Sequence, residues 1–140
     1  MDLQSSLVAN GYETDMGARL FRGRRHVDDE MIPCVAIHEG DDTVRDGPTR
    51  SGDVSLAQEY TIFGYLACDP DQPNTAAHAL LRDMKRAVFR TAGVADARWG
   101  GAVRKVTYVG RSIGPRADGA AFVLAAIRIQ VEYVESLVQP

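Results

Sequence analysis

The chain has 140 residues, a hydrophobic content of 45%, a charged content of 25% and a formal net charge of −3. This composition is typical of soluble globular proteins and excludes a disordered or fibrous chain. The length predicts a single domain over residues 1–140 and is too short for two ordinary domains. Because the chain carries a slight excess of acids, an overall basic field for binding nucleic acid is not expected.

The N-terminal sequence, MDLQSSLVANGYE, contains no basic segment followed by a long apolar run. We therefore expect neither a signal peptide nor a membrane-spanning helix, and we expect synthesis in the cytosol. Cys34 and Cys68 lie in apolar, strand-like runs, where a small buried thiol is more common than a disulfide in a reducing compartment. Both cysteines are therefore expected to be reduced.

The first half of the chain predicts one short helix and two or three strands. Residues 3–10 favour a short N-terminal helix, and the alternation around Ala18, Leu20 and Arg22 favours a strand. The β-branched segment MIPCVAIHE predicts a firmer strand. A longer strand is predicted from about Val54 to Cys68.

Residues 39–53, between those two strands, are predicted to form a flexible charged loop. The segment holds five acids and two bases, so its net charge of −3 equals that of the whole chain. The charged residues are Glu39, Asp41, Asp42, Arg45, Asp46, Arg50 and Asp53. A loop of this length usually binds something or is disordered, so we interpret it as an arm that a partner orders.

The segment CDPDQPNTAAHALLRDMKRAVFRTAG carries the strongest helix signal. Prolines and Asn74, a residue suited to capping, precede it, and Gly93 follows it. An apolar stripe is formed by Ala77, Leu80, Leu81, Met84, Ala87 and Val88. A basic ridge on the other side consists of Arg82, Lys85, Arg86 and Arg90. We interpret this ridge as a solvated face partly neutralised by Asp83, and the alternative is a docking surface for an acidic neighbour.

The last part of the chain predicts a β-hairpin formed by AVRKVTYVGRSIG and AAFVLAAIRIQVEYVE. The second half of the final strand alternates between apolar and polar residues, as expected of a strand with one buried face. In its first half, however, Phe122, Leu124 and Ala126 make the opposite face apolar as well. Either the helix or another subunit must cover that second face.

Together these elements predict an α+β fold. We expect a two-layer sandwich in which a mostly antiparallel sheet of four to five strands carries one main amphipathic helix, with a short helix at the N-terminus.

The candidate chemical motifs are all incomplete. HEGDD begins like the zinc-binding pattern H-E-x-x-H, but Asp42 occupies the position of the second histidine. GPTRSGDV has the glycine spacing of a phosphate loop, but Asp53 and Val54 replace the required lysine and hydroxyl residue. Cys68 and His78 lack an accompanying nucleophile elbow or oxyanion-hole sequence. We therefore expect no catalytic residues, no cofactor and no metal, and we expect that the protein is not an enzyme.

The order of elements over nearly the full chain resembles the phage tail terminator or minor tail proteins related to the lambda tail protein U, also called tail completion proteins. PCVAIHEGDD is similar to their early strand entering a charged loop, and EYTIFGYLA to their long strand. HALLRDMKRAVF resembles their single amphipathic helix, and IRIQVEYVES their closing strand. The resemblance implies a non-enzymatic virion protein that forms a ring at the head-proximal end of the tail tube, stops tube polymerisation and presents a surface for head joining.

This resemblance also implies a set of partners. They are copies of the chain itself, in a ring that is a hexamer by family resemblance, the major tail tube protein and a head–tail connector protein. DNA would pass through the lumen without specific binding, because an acidic lining repels phosphates. The protein would reside in the virion tail after assembly in the host bacterial cytoplasm, with no role for a membrane.

The candidate contact residues belong to the charged segment, the basic ridge and the second apolar face of the final strand. They are Asp41, Asp42, Arg45, Asp46, Arg50, Asp53, Arg82, Lys85, Arg86, Arg90, Phe122, Leu124 and Ala126. The alternative function is a small, dimeric bacterial α+β ligand-binding module with a pocket between sheet and helix.

Overall fold

A five-stranded sheet and one helix form the body of the protein. The computed structural model describes residues 1–116 and 118–139. The helix and strands are β1 (Leu20–Arg22), β2 (Cys34–Asp46), β3 (Asp53–Ala67), α1 (Pro73–Phe89), β4 (Arg90–Thr91), β5 (Val94–Ala95), β6 (Lys105–Ile113) and β7 (Phe122–Ser136). Short 3-10 helices lie at Leu3–Ser5, Val8–Asn10, Met16–Ala18, Asp29–Met31 and Trp99–Gly101. The predicted α+β class is therefore confirmed.

The main sheet has the strand order β1-β2-β3-β7-β6. β1 pairs in parallel with β2, and the other three neighbouring pairs are antiparallel. The central strand, β3, pairs along its full length with β7, from Asp53 opposite Ser136 to Ala67 opposite Phe122. These pairings confirm the prediction of a mostly antiparallel sheet of four to five strands.

Helix α1 forms where the apolar stripe predicts it, but its ends differ from the prediction. It begins at Pro73, which suits the first turn because the ring fixes φ and the missing N–H is not needed there. Asn74 is the second residue of the helix, and Gln72 occupies the N-cap position without a side-chain capping bond, so the prediction that Asn74 caps the helix is wrong. The helix ends at Phe89, four residues before Gly93, because Arg90 is already extended and starts the β4–β5 hairpin.

The apolar stripe of α1 packs on the face of the sheet that contains Ile62, Ile127 and Ile129, all at most 1% exposed. Gly64 lies directly under the helix. A Cβ atom at this position would lie 2.8 Å from Leu80 Cδ1 and 2.9 Å from Leu80 Cγ. The glycine therefore lets helix and sheet approach closely at the centre of the core.

Residues 39–53 do not form the predicted loop. β2 continues to Asp46 and β3 begins at Asp53, so most of the segment is a β-hairpin with a turn over residues 47–52. The pairing is interrupted by register shifts between Glu39 and Asp42 and between Val44 and Asp46. The polar residues of β2 are held in the sheet because β3, their pairing partner, is anchored by β7 on its other edge.

The N-terminal segment also differs from the prediction. Residues 3–10 form two separate 3-10 helices in place of one short helix, and the first strand is limited to Leu20–Arg22. Tertiary contacts account for this irregular path. Leu3 is buried at 3% exposure, and the Asp2 amide donates to the carbonyl of Ala87 near the end of α1. The conformation of this segment is therefore determined by its contacts with α1 and not by a helical periodicity in its own sequence.

Candidate functional sites

The acidic hairpin, which we define as residues 39–53, extends the sheet beyond its helix-covered part. Residues 39–51 are all exposed. The side chain of Arg45 crosses to β7, where Nη2 donates to Gln130 Oε1 at 2.9 Å. The turn is held by a hydrogen bond from the Thr49 amide to the Asp53 carbonyl at 2.8 Å. The sequence-predicted residues Asp41, Asp42, Asp46 and Arg50 are thereby presented on an ordered hairpin.

The outer face, which we define as the face of the sheet opposite α1, carries the three apolar residues singled out in the final strand. Cross-strand register places Phe122 beside Ala67, Leu124 beside Tyr65, and Ala126 beside Phe63. Phe122 is 38% exposed and Leu124 is half-buried, whereas Ala126 is only 4% exposed. Phe122 and Leu124 can therefore contact a partner directly, and Ala126 can do so only slightly.

Aromatic rings extend the outer face toward β1 and β2. The rings of His38 and Phe63 are 4.7 Å apart between centroids. The Arg24 guanidinium lies 4.6 Å from the centroid of Phe21, which pairs with Ala36 on β2. On this face Cys34 and Ala36 of β2 are fully buried, whereas Phe122 is 38% exposed and Tyr65 and Leu124 are half-buried. The accessible apolar part of the outer face therefore lies on β3 and β7.

The basic ridge is largely occupied by the protein's own N-terminal segment. Arg82 forms a two-pronged ion pair with Glu13, with Nε at 2.7 Å and Nη2 at 3.2 Å from the carboxylate oxygens. This hydrogen-bonded guanidinium lowers the pKa of the Glu13 carboxyl. Arg86 donates to the Gly11 carbonyl at 2.7 Å and covers the ring of Tyr12 at 4.9 Å.

The remaining two cations of the ridge also contact the same chain. The Lys85 ammonium lies 5.6 Å from the centroid of the Tyr108 ring. Arg90 lies beyond the end of α1 and donates to the Gly93 carbonyl at 2.7 Å. The four cations therefore have intramolecular contacts, and the ridge is less suited to an acidic partner than the sequence suggests.

Asp83 does not neutralise that ridge, which corrects the prediction. Its side chain is on the buried side of α1 at 1% exposure. The carboxylate accepts three hydrogen bonds, from the amides of Glu13 and Thr14 at 3.1 and 2.7 Å and from Thr14 Oγ1 at 2.7 Å. Asp83 thus fixes the N-terminal segment onto the helix.

A recess of about 500 Å³ lies beside Trp99 on the helix-covered side of the sheet. Its apolar floor is formed by Ile37, Ile62 and Ile129, of which the last two are almost completely buried. No sequence pattern indicates these lining residues, because they come from β1, β2, β3, β7 and the 3-10 helix at Trp99–Gly101. The one signal available in the sequence was a lone tryptophan followed by two glycines.

The wall of the recess is fixed by hydrogen bonds that hold Trp99 in place. Its indole Nε1 donates to the Val88 carbonyl at 2.8 Å. The Asp96 carboxylate accepts from the amides of Arg98 at 2.8 Å and Gly100 at 2.6 Å, and these bonds lower the pKa of Asp96. The indole therefore stands as a preformed wall against the isoleucine floor.

Polar groups from three strands surround the opening of the recess. Arg22, Arg25 and Glu39 are exposed at its edge, and Tyr60 is half-buried beside them. Burial, followed by the nearby Glu39 carboxylate, raises the pKa of the Tyr60 hydroxyl. Within the described residues, neither guanidinium nor the Tyr60 hydroxyl has a side-chain hydrogen-bond partner.

The groups considered for catalysis have separate contacts. Cys68 Sγ lies 3.8 Å from the Ala120 carbonyl oxygen, and His78 Nδ1 lies 3.4 Å from Arg111 Nη1. His26 pairs with Asp28 at 2.7 Å, and both side chains are largely exposed. In the part of the chain that is described, no three histidine, cysteine or acidic residues are grouped as metal ligands would be.

In comparisons with known proteins, no family model and no curated protein matches the sequence. Among the helices of residues 1–116 and 118–139, none has the length and apolar character needed to cross a bilayer. The family resemblance therefore stays a prediction.

Proposed function

We propose that the protein is a structural subunit of a phage or prophage tail. It assembles with copies of itself into a ring at the head-proximal end of the tail tube, ends tube polymerisation and provides a surface for head joining. The observation that supports self-assembly is the accessible part of the outer face on β3 and β7, where Phe122 is 38% exposed beside Leu124 and Tyr65. Contiguous apolar surface of this kind is characteristic of protein contacts.

A ring requires two different patches that meet head to tail, because identical patches produce a closed pair. The outer face is apolar and aromatic, whereas the acidic hairpin is polar and projects from the opposite end of the strands. These two surfaces differ enough to serve different contacts. In the proposed assembly, the outer face contacts the next subunit and the acidic hairpin faces the tube end or the lumen.

The proposed partners are the major tail tube protein, a head–tail connector and further copies of the chain, with a hexamer as the ring suggested by the family resemblance. An acidic lumen would let DNA slide without adhering, because like charges repel. The proposal assigns no bond chemistry to the protein. Its location would be the virion tail, after assembly in the bacterial cytoplasm.

The test of self-assembly is the substitution Phe122→Asp. A carboxylate on the outer face would have to be desolvated in the contact, so rings should be lost while a folded monomer remains. Negative-stain electron microscopy with and without tail tubes, together with light scattering, measures the outcome. Val94→Asp is the matched control, because Val94 is 68% exposed on β5, away from the outer face. Rings formed by Phe122→Asp as readily as by Val94→Asp would contradict the proposal.

The recess beside Trp99 favours a second candidate function, a small dimeric ligand-binding module. Its volume of about 500 Å³ is within the range of small-molecule sites. This candidate predicts a fixed dimer and a saturable ligand, whereas the tail subunit predicts rings and binding to tail tubes. The same microscopy of the purified protein, alone and with tubes, separates the two candidates.

A further inference from the structure

We propose that the recess beside Trp99 binds a small organic monoanion with an apolar body, such as a medium-chain acyl carboxylate or an aromatic carboxylate. This inference gives the second candidate function its ligand class. It does not rest on ring assembly, because the recess lies on the face of the sheet opposite the outer face.

The apolar body of the ligand is specified by the floor and the wall. Ile37, Ile62 and Ile129 present side chains that are at most 8% exposed, and the Trp99 ring stands beside them. A ligand whose apolar body enters the recess removes its own apolar surface from water against Trp99 and this floor, which favours binding. A purely polar ligand would gain nothing from this floor.

The charge of the ligand is specified by the opening. Arg22 and Arg25 supply two positive charges and Glu39 one negative charge, so the lining side chains have an excess of one positive charge. A single carboxylate matches that excess. A polyphosphate would place additional negative charge beside Glu39, which opposes its binding.

The orientation of the ligand follows from the polar groups that lack partners. Guanidinium groups bind carboxylates with two parallel hydrogen bonds, and a tyrosine hydroxyl can donate a further one. Arg22, Arg25 and Tyr60 line the same recess from β1, the segment after it and β3. The carboxylate should therefore lie at the opening, with the apolar body directed toward the isoleucine floor.

Trp99 makes this inference directly measurable, since it is the single tryptophan of the chain. Its emission should change when the recess is occupied. We would titrate the protein with octanoate, 1-octanol and octylammonium, which share one chain length and differ in charge. Octanoate should give a saturable change, with octanol and octylammonium each at least about tenfold weaker, since charge-assisted hydrogen bonds form only with the carboxylate.

Two variants assign the binding to the recess. Arg25→Gln should weaken octanoate binding about tenfold, and Tyr60→Phe, which removes only the hydroxyl, about threefold. Arg24→Gln is the matched control. Its guanidinium lies on the other face of the sheet, over the Phe21 ring at 4.6 Å, so the affinity should be unchanged.

Three results would overturn the inference: an equal response to all three probes, no saturable change with octanoate, or equal losses of octanoate affinity in Arg24→Gln and Arg25→Gln. Thermal unfolding of each variant checks that it is folded. The titration is repeated on Phe122→Asp, so a failure of ring assembly and a failure of the recess give separate readouts.

Discussion

The buried side chain of Asp83 holds the N-terminal segment on α1 and so determines what the basic ridge contacts. In the sequence it stands between Arg82 and Lys85 and looks like part of a charged helix face. Its carboxylate instead accepts three hydrogen bonds from Glu13 and Thr14, and this contact brings Glu13 to Arg82. Asp83 lies three residues after Leu80 and four before Ala87. Because both neighbours are buried and this spacing places all three on one helix face, Asp83 is buried as well.

Asp83→Ala should therefore be strongly destabilising. The change leaves two amides and one hydroxyl without acceptors in a buried environment, at a cost of about 3 kcal/mol. Urea unfolding followed by circular dichroism measures the change in the free energy of unfolding. The control is Asp41→Ala on the exposed acidic hairpin, which should stay within about 0.5 kcal/mol of wild type. Equal effects of the two substitutions would show that the Asp83 bonds do not contribute.

In the acidic hairpin, strand pairing determines the backbone conformation more strongly than the amino-acid composition does. The segment after His38 contains glycine and aspartate residues that are rare in strands, which is why a loop is the natural prediction. The structure nevertheless pairs Asp42 with Gln58 and Val44 with Leu56. Leu56 is 5% exposed and belongs to the strand that β7 holds from the other side, so the partner strand imposes the conformation.

The distance between α1 and the sheet depends on the absence of a side chain at Gly64. Gly64→Ala places a Cβ within 2.8 Å of Leu80 Cδ1, so helix and sheet must separate or Leu80 must leave its rotamer. The expected cost is about 1–3 kcal/mol of unfolding free energy.

Chemical denaturation of a double-mutant cycle tests this contact. The cost of Gly64→Ala should fall when Leu80 is replaced by alanine, because the two sites share one contact. Gly110→Ala on β6 is the control, since its Cβ would meet only the end of the Arg128 side chain at 3.4 Å. An unchanged cost in the Leu80→Ala background would refute the steric explanation.

The net negative charge of the protein is carried by the acidic hairpin, at one end of the sheet, and this asymmetry should influence assembly. Changing Asp41, Asp42 and Asp46 to asparagine brings the net charge of the acidic hairpin from −3 to zero while leaving its shape. Tail assembly should be weakened, because the hairpin no longer repels DNA or complements its partner. Yield of complete tails by electron microscopy measures this.

The control for the hairpin variant neutralises three exposed acids elsewhere, namely Asp28, Asp29 and Glu30, and so changes the total charge by the same amount. Assembly should then remain near the wild-type level. If both triple variants assemble like wild type, the hairpin has no electrostatic role in the tail.

The sequence predicts the fold class and the central helix because local periodicity determines them. The stripe containing Leu80, Leu81 and Met84 is buried as expected, and the apolar alternation in β7 separates its two faces as expected. The recess could not be predicted, since residues as distant along the chain as Arg22 and Trp99 meet only through the order of strands in the sheet. A surface formed by a single strand can be predicted from its sequence pattern, whereas a cavity lined by several elements cannot.

The pairing of β3 with β7 has a consequence for folding. Asp53 lies opposite Ser136 and Ala67 opposite Phe122, so the central strand joins a neighbour from which α1, β4, β5 and β6 separate it in the sequence. Long-range pairing of this kind forms slowly. The part of the outer face on which Phe122 lies beside Ala67 therefore forms only when this long-range pairing is complete.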